Sequence, residues 1–289
     1  TNVACFGGST GAATATFTGG PTGTPTYTWQ KDFAPFAPTT PTITGLTLGT
    51  YSVIVEINGC FGYDTIVITE PTQLTSTTSQ VDISCFNGTD GEASVTVSGG
   101  TPTYTYNWTL EPAGTFVGNT ATITGLGAGV YQVEVTDDSL CTLLDTVTLI
   151  DPAALGLQMS GINASCFGVC DGEATVLVSG GTTPYTYLWS NNATTANITA
   201  LCAGWYYVTV TDAGGCVTNA TGTVTQPSQM TSSVSTQTNV NCFGGTNGSA
   251  TVAAAGGSGS YTFNWNGGFT GATRTNLAAG TYTVSAVEA

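Results

Sequence analysis

Tyr104-Thr105-Tyr106-Asn107-Trp108 and, further along, Leu126-Gly127-Ala128-Gly129-Val130-Tyr131-Gln132-Val133-Glu134-Val135 decide how this chain folds. In the first stretch aromatic and polar residues alternate, so a strand would place Tyr104, Tyr106 and Trp108 on one face, the expected core face. The second stretch reads as a corner of the form Leu-x-x-Gly-x-Tyr, followed by a strand with Tyr131, Val133 and Val135 turned inward. Working outward, residues 74–84 predict a first strand, and Cys85-Phe86-Asn87-Gly88-Thr89-Asp90-Gly91 a turn. Residues 92–98 follow as a second strand, which Gly99-Gly100-Thr101-Pro102 breaks. Residues 120–124 predict a short strand, a loop through Asp137 and Asp138 reaches Cys141, and residues 142–150 form the last strand, closed by Asp151-Pro152.

The same string occurs four times. Its first cysteine falls at Cys5, Cys85, Cys166 and Cys242, its tryptophan at Trp29, Trp108, Trp189 and Trp265, and its corner at Leu46 with Tyr51, Leu126 with Tyr131, Leu201 with Tyr206 and Leu277 with Tyr282. A period of about 80 residues is too long for a solenoid unit and long enough for a small sandwich with its own core. Glu/Asp/Gln-Pro pairs at Pro71, Pro152 and Pro227 divide the chain into 1–71 (first strand truncated), 72–152, 153–227 and 228–289 (truncated at its C-terminus), so an excerpt of a longer array is expected. Short strands separated by frequent turns predict an all-β chain. The expected architecture is a tandem array of immunoglobulin-like (fibronectin III/PKD-like) β-sandwich domains, whose Leu-x-x-Gly-x-Tyr corner resembles the tyrosine corner of that fold. Linkers this short should make neighbours abut in an elongated, semi-rigid rod of domains each about 35–40 Å long. A chain dominated by Thr, Ser, Gly, Val and Tyr supports strands and tight turns, so almost no helix is expected.

Composition removes several functions. The net charge is -15, 7% of residues are charged, Lys31 and Arg274 are the two cations, and there is no histidine. Phosphate backbones and anionic lipids need a basic footprint that this chain lacks, so nucleic acid is not an expected partner. No stretch is long and apolar enough for a membrane span, and no leader opens the chain, so export and anchoring signals are expected elsewhere. Without histidine, a Ser-His or Cys-His nucleophile cannot be assembled, and no enzyme activity is expected.

Nine cysteines at repeating positions predict disulfides and an extracytoplasmic setting. Cys5, Cys85, Cys166 and Cys242 lie in the first turn of each copy, and Cys60, Cys141 and Cys216 follow the penultimate strand. Cys170 and Cys202 are extra to the third copy and should pair, since the turns that hold them share one end of such a sandwich. The same strand order sets the Cys85-type and Cys141-type residues at opposite ends, beyond the roughly 5.5 Å Cα spacing of a bridge. Two schemes remain. Either one crossing fewer lies between, allowing bonds within a copy (Cys5 with Cys60, Cys85 with Cys141, Cys166 with Cys216), or bonds are staggered between neighbours (Cys5 with Cys141, Cys85 with Cys216). Closing a loop of roughly 55 residues would stabilise a copy by about 4 kcal/mol in the chain-entropy model. A zinc site lacks both a C-x-x-C pair and histidine.

Other residues invite sharper readings. The strand aromatics ending in Trp108 could stack on sugars, which would make each copy a carbohydrate-binding module, but their alternation assigns them to the core. Trp205 replaces the Thr or Val of the other copies and precedes an inward Tyr206, so it should face outward, either as an exposed contact or packed near the neighbouring domain or the extra disulfide. Asp90, Asp137, Asp138, Asp171 and Asp212 could bind calcium between copies, yet Thr10, Asn247 and Asn58 stand at corresponding places; a solvated acidic surface that needs no cofactor is the plainer reading.

Cys-Phe-Gly-Gly-Thr-Asn-Gly-Ser-Ala-Thr-Val (242–252), Gly-Gly-Thr-Thr-Pro-Tyr-Thr-Tyr-Leu-Trp-Ser (180–190), Ala-Ala-Gly-Thr-Tyr-Thr-Val (278–284) and Val-Thr-Asp-Ala-Gly-Gly-Cys (210–216) together resemble the SprB repeat of very large cell-surface adhesins of gliding Bacteroidetes. The resemblance covers essentially the whole chain. It implies an extracellular, cell-surface adhesin exported by type IX secretion and carried by the gliding machinery. Its expected partners are a substratum or surface polysaccharide, and neighbouring repeats of the same chain. The first copy departs from the pattern by an insertion, residues 30–41, and by Glu56-Ile57-Asn58-Gly59 before Cys60, without the aspartate. Asp64-Thr65-Ile66, Asp138-Ser139-Leu140 and Asp145-Thr146-Val147 look like the Asp-Ser/Thr-aliphatic O-glycosylation acceptor of the Bacteroidetes, with Thr65, Ser139 and Thr146 as acceptors. Asn-x-Ser/Thr triplets, as at Asn87 and Asn192, are expected by chance in a Thr-rich chain.

Overall fold

The chain is described by a computed structural model covering residues Thr1 to Glu288. Among these residues the secondary structure is strand and turn alone, all pairings are antiparallel, and two compact units divide at Pro152 and Ala153.

In the first unit the opening copy contributes β1 (Gly11–Thr14), β2 (Thr26–Lys31), β3 (Ala34–Phe36), β4 (Thr42–Leu46), β5 (Gly49–Ile57) and β6 (Cys60–Ile68), in sheets ordered β1-β4 and β3-β2-β5-β6. The second copy adds β7 (Thr75–Val81), β8 (Gly91–Ser98), β9 (Tyr104–Glu111), β10 (Thr115–Gly118), β11 (Thr122–Leu126), β12 (Gly129–Asp137) and β13 (Thr142–Leu149), in sheets β7-β8-β11 and β10-β9-β12-β13. That division, with the first, second and fifth strands in one sheet and the remainder in the other, is a fibronectin-type immunoglobulin-like sandwich. In the second unit β14 (Gly156–Ile162), β15 (Gly172–Ser179) and β17 (Asn197–Leu201) face β16 (Thr186–Trp189), β18 (Gly204–Thr211) and β19 (Val217–Val224). The last copy has β20 (Ser228–Thr238), β21 (Gly248–Gly257) and β23 (Thr273–Leu277) against β22 (Tyr261–Trp265) and β24 (Val284–Glu288). The chain is a tandem array of immunoglobulin-like β-sandwiches.

Alternation builds each core. On β12 every second residue (Tyr131, Val133, Val135) is buried, and these pack with Trp108, Val95, Ile123 and Leu149. Equivalent sets surround Trp29 and Trp189, and Trp265 is buried with Val252 and Leu277. Each indole N–H is satisfied by a main-chain carbonyl ahead of the fifth strand, so a polar ring edge enters the core without an unpaired donor. Trp29, Trp108, Trp189 and Trp265 donate to Thr40, Thr120, Thr195 and Gly271 at 2.9, 2.9, 2.8 and 2.8 Å. The corner tyrosines repeat as faithfully. Tyr51, Tyr131, Tyr206 and Tyr282 each donate to the carbonyl four residues upstream, at 3.1, 2.9, 3.0 and 3.1 Å.

Several sequence expectations change. The first strand of the second copy ends at Val81 rather than continuing to Ser84, and its fifth spans Thr122–Leu126. Tyr104 and Tyr106 are half-buried at the core margin, with the Tyr104 hydroxyl donating to Gly99 at 2.6 Å. The fourth strand was not foreseen: β10 pairs with β9, as β3 pairs with β2, before the chain crosses to the opposite sheet. Residues 30–41 are consequently no insertion peculiar to the first copy. They form a strand-to-strand hairpin that the second copy also has, and the third and fourth copies lack the added strand.

Candidate functional site

Chemistry-bearing residues gather at the ends of the sandwiches and on one sheet face. At the end holding the first turn, a side-chain oxygen clamps the loop from within. Ala4, Ser84, Ser165 and Asn241 donate their amides to Thr10, Asp90, Asp171 and Asn247 at 2.7, 3.2, 2.9 and 3.1 Å. The Ser84 and Ser165 hydroxyls also donate to Asp90 and Asp171, which holds both carboxyls below the usual carboxylate range. The position needs an acceptor, not a charge, and this is why threonine, aspartate and asparagine interchange there. The residue preceding each linker proline closes the same turn from outside. Glu70, Asp151 and Gln226 accept from the amides of Gly7, Asn87 and Gly168 at 2.8, 3.2 and 2.8 Å.

At the opposite end stand Asp137 and Asp212, read from sequence as solvated loop acids. That expectation is corrected, since they are 3% and 5% exposed. Asp137 falls in the inward register of β12 after Tyr131, Val133 and Val135, and its carboxylate accepts from the amides of Thr101, Ser139 and Cys141 at 2.8, 2.9 and 2.9 Å. Asp212 repeats the arrangement with Thr182 and Cys216 at 2.8 and 2.9 Å, and the Thr182 amide foremost keeps its carboxyl low. Glu288 occupies the place in the fourth copy, bonded to Ser258, and Ile57 fills it in the first. The Gly-Gly pair has its explanation here. Gly99 and Gly100 have φ of 76° and 60°; a Cβ on Gly99 would strike the Gln73 carbonyl, and one on Gly100 would lie 2.6 Å from the Asp137 carboxylate. With their oxygens committed to amides, these acids do not converge: among the described residues no three Asp, Glu or Cys side chains gather as a metal site.

Cys5 is bonded to Cys141, 136 residues away, with Cα atoms 5.7 Å apart, and Cys170 to Cys202. Cys85 and Cys216 are likewise disulfide-bonded, and Cys60, Cys166 and Cys242 are free and exposed. The within-copy scheme is therefore not formed: Cys5 is not joined to Cys60, Cys85 is not joined to Cys141, and Cys166 has no partner. The strand order is the reason: it carries the first-turn cysteine and the later cysteine of one copy to opposite ends, in the third copy without any added strand. A first-turn cysteine in the first copy thus meets the later cysteine of the second.

Trp205 is 80% exposed on β18, whereas the four repeating tryptophans are buried and offer no sugar platform. Thr65 and Thr146 are exposed on β6 and β13, while the Ser139 hydroxyl is half-buried and donates to Thr101 at 3.0 Å. Asp138 is an exposed loop residue whose amide donates to the Thr101 carbonyl. Both cations are engaged: Lys31 donates to Thr47 at 2.6 Å and lies near the Tyr51 ring, and Arg274 lies over Phe269 and Tyr282.

The family model for the SprB repeat matches residues 77–110, 163–194 and 234–270. Three stretches of the chain match the SprB repeat. Each matched stretch includes the first-turn cysteine with its clamp and the buried tryptophan, and ends before the carbonyl that accepts the indole hydrogen bond. No curated protein matches the chain. Solved structures similar to it include three N-terminal domains of the Highly Immunogenic Outer Capsid protein (Hoc) of bacteriophage RB49, at 20% identity over 74% of this chain and 80% of that one, TM-score 0.40. The titin I-band fragment I67-I69 is similar at 13% identity over 71% and 89%, TM-score 0.36. With SprB repeats, immunoglobulin-like sandwiches and three disulfides, this is an adhesin-like repeat segment.

Proposed function

We propose that this chain is a non-catalytic, tension-bearing segment of a long extracellular adhesin or filament at the cell surface, built from four SprB repeats with boundaries at the linker prolines and needing no cofactor. Export by type IX secretion, transport by a gliding machinery and attachment to a substratum or surface polysaccharide belong to the same reading. The observation that carries it is the Cys5–Cys141 bond, which ties successive copies by a second covalent path beside the linker. A bond within one core would harden that core alone; one between copies shields both from being drawn out. The repeated clamps support the reading, since every copy spends its polar side chains on holding its ends rather than on a cleft.

Force spectroscopy on the whole chain tests it. Residues 5–141, if released, would add roughly 450–490 Å of extended chain. The oxidised protein should withhold that length and the reduced protein should yield it. An oxidised chain that yields it as readily would remove the proposal's support. The alternative of tandem carbohydrate-binding modules loses the buried tryptophans as platforms, and the exposed Trp205 and Tyr207 of the third copy favour it.

A further inference from the structure

The outer face of β16, β18 and β19 in the third copy differs from its counterparts. Trp205 and Tyr207, 80% and 55% exposed, are separated by one residue on β18, so both rings stand on the same face. Leu188 on β16, 54% exposed and paired with Thr209, lies on that face too. The other copies carry Thr50, Val130 and Thr281 in place of Trp205, and Ser52, Gln132 and Thr283 in place of Tyr207. For Leu188 they carry Thr28, Asn107 and Asn264. Three aligned positions have thus become large and apolar together, in one copy. The same copy holds the extra Cys170–Cys202 bond, and the carbonyl of Cys202 anchors the hydroxyl of Tyr206, the residue between the two exposed rings, at 3.0 Å. The platform is fixed at its root.

We propose that this face binds a neutral polysaccharide, with successive sugar rings stacked on Trp205 and Tyr207. Along a strand two residues advance about 6.6–6.8 Å, so the two rings stand side by side within the span of two neighbouring sugars. Aromatic faces take up the C–H surface of a sugar, and the surround supplies partners for its hydroxyls. Thr223 stands opposite Trp205, Thr221 opposite Tyr207, Ser190 beside Tyr207, and Asn219 is bonded to Thr209 at 2.7 Å. Strands β16, β18 and β19 contain no Asp, Glu, Lys or Arg, whereas β9 and β12 of the second copy carry Glu111 and Glu134 in the outward register. A face without charge on a chain of net charge -15 has nothing to attract an ionic polymer, and a second copy of the same chain would be repelled.

This inference deepens the adhesive reading and rests on it, but its test is separate from the tether measurement. Affinity electrophoresis of the whole chain in gels containing hydroxyethylcellulose, laminarin or dextran should show retardation by at least one, with none in alginate. Trp205→Thr/Tyr207→Thr installs residues that other copies already carry and should weaken binding at least tenfold with an unchanged thermal midpoint, while Trp205→Phe keeps most of it and Gln132→Ala keeps it all. The proposal is overturned if none of the three neutral polymers retards the chain, if alginate does so equally, if the double variant binds as well as the parent, or if sedimentation shows that the aromatic face drives self-association. In each of those cases the second covalent path between copies, and the tension-bearing role drawn from it, would stand.

Discussion

Trp108 and Tyr131 are where single atoms carry the most weight. The indole of Trp108 fills the space between two sheets and delivers its one donor to the Thr120 carbonyl. Trp108→Ala should cost about 3–5 kcal/mol in chemical denaturation. Tyr131→Phe keeps the ring and removes only the hydroxyl that ties the strand to its own corner at Gly127, so a loss of about 0.5–1.5 kcal/mol is expected. The same experiment on Asp137→Ala should read more than the tyrosine, because amides of Thr101, Ser139 and Cys141 lose their acceptor inside the structure, at about 1–3 kcal/mol for each donor left unpaired. The tryptophan and tyrosine were legible in the sequence because alternation and spacing report burial directly. Asp137 was misread from its residue type, although its register was available: it continues the alternating series Tyr131, Val133, Val135, and Ile57 stands in the corresponding place of the first copy.

Strands and turns obey a looser code. The long strands announced themselves because one face of each is apolar. β3 and β10 did not, since they are short, lie at a sheet edge and leave most of their residues at least partly open to solvent, so no alternation is imposed on them. The disulfide pattern stayed undecided because the number of crossings between the third and penultimate strands, which determines at which end a cysteine emerges, leaves no mark in the alternation. The turn clamps were equally hidden, as a site that accepts Thr10, Asp90, Asp171 or Asn247 looks variable until geometry shows one oxygen doing one job. Their titration gives a test. Asp90 and Asp171 have depressed carboxyl pKa values from the Ser84 and Ser165 hydrogen bonds, as Asp212 has from the Thr182 amide. Their contribution is fully present above the ordinary value of 3.8 and is lost as pH falls through the depressed one. The thermal midpoint should therefore hold steady from neutral pH to about 4.5 and decline below about 4. Asp171→Asn, which copies the fourth repeat, should shallow that acid limb; an unchanged limb would show that the clamp carboxylate does not report on folding.

Across the whole molecule, charge and cysteine placement are what the sequence revealed first. Two cationic residues leave trypsin two places to cut, at Lys31 and Arg274, so even an unfolded chain should yield few fragments on a gel. Closing residues 5–141 into a loop is worth about 5 kcal/mol in the chain-entropy model, so a reductant should lower the thermal midpoint, as scanning calorimetry would record.

The Cys5–Cys141 bond also changes what a severed backbone means. A protease that opens the chain near Pro71 breaks one route between the first and second copies and leaves the other whole, so both pieces travel as a single molecule until a thiol enters. A cut at that joint would not part the two copies, and whatever load the chain carried there would pass through sulfur instead of the main chain.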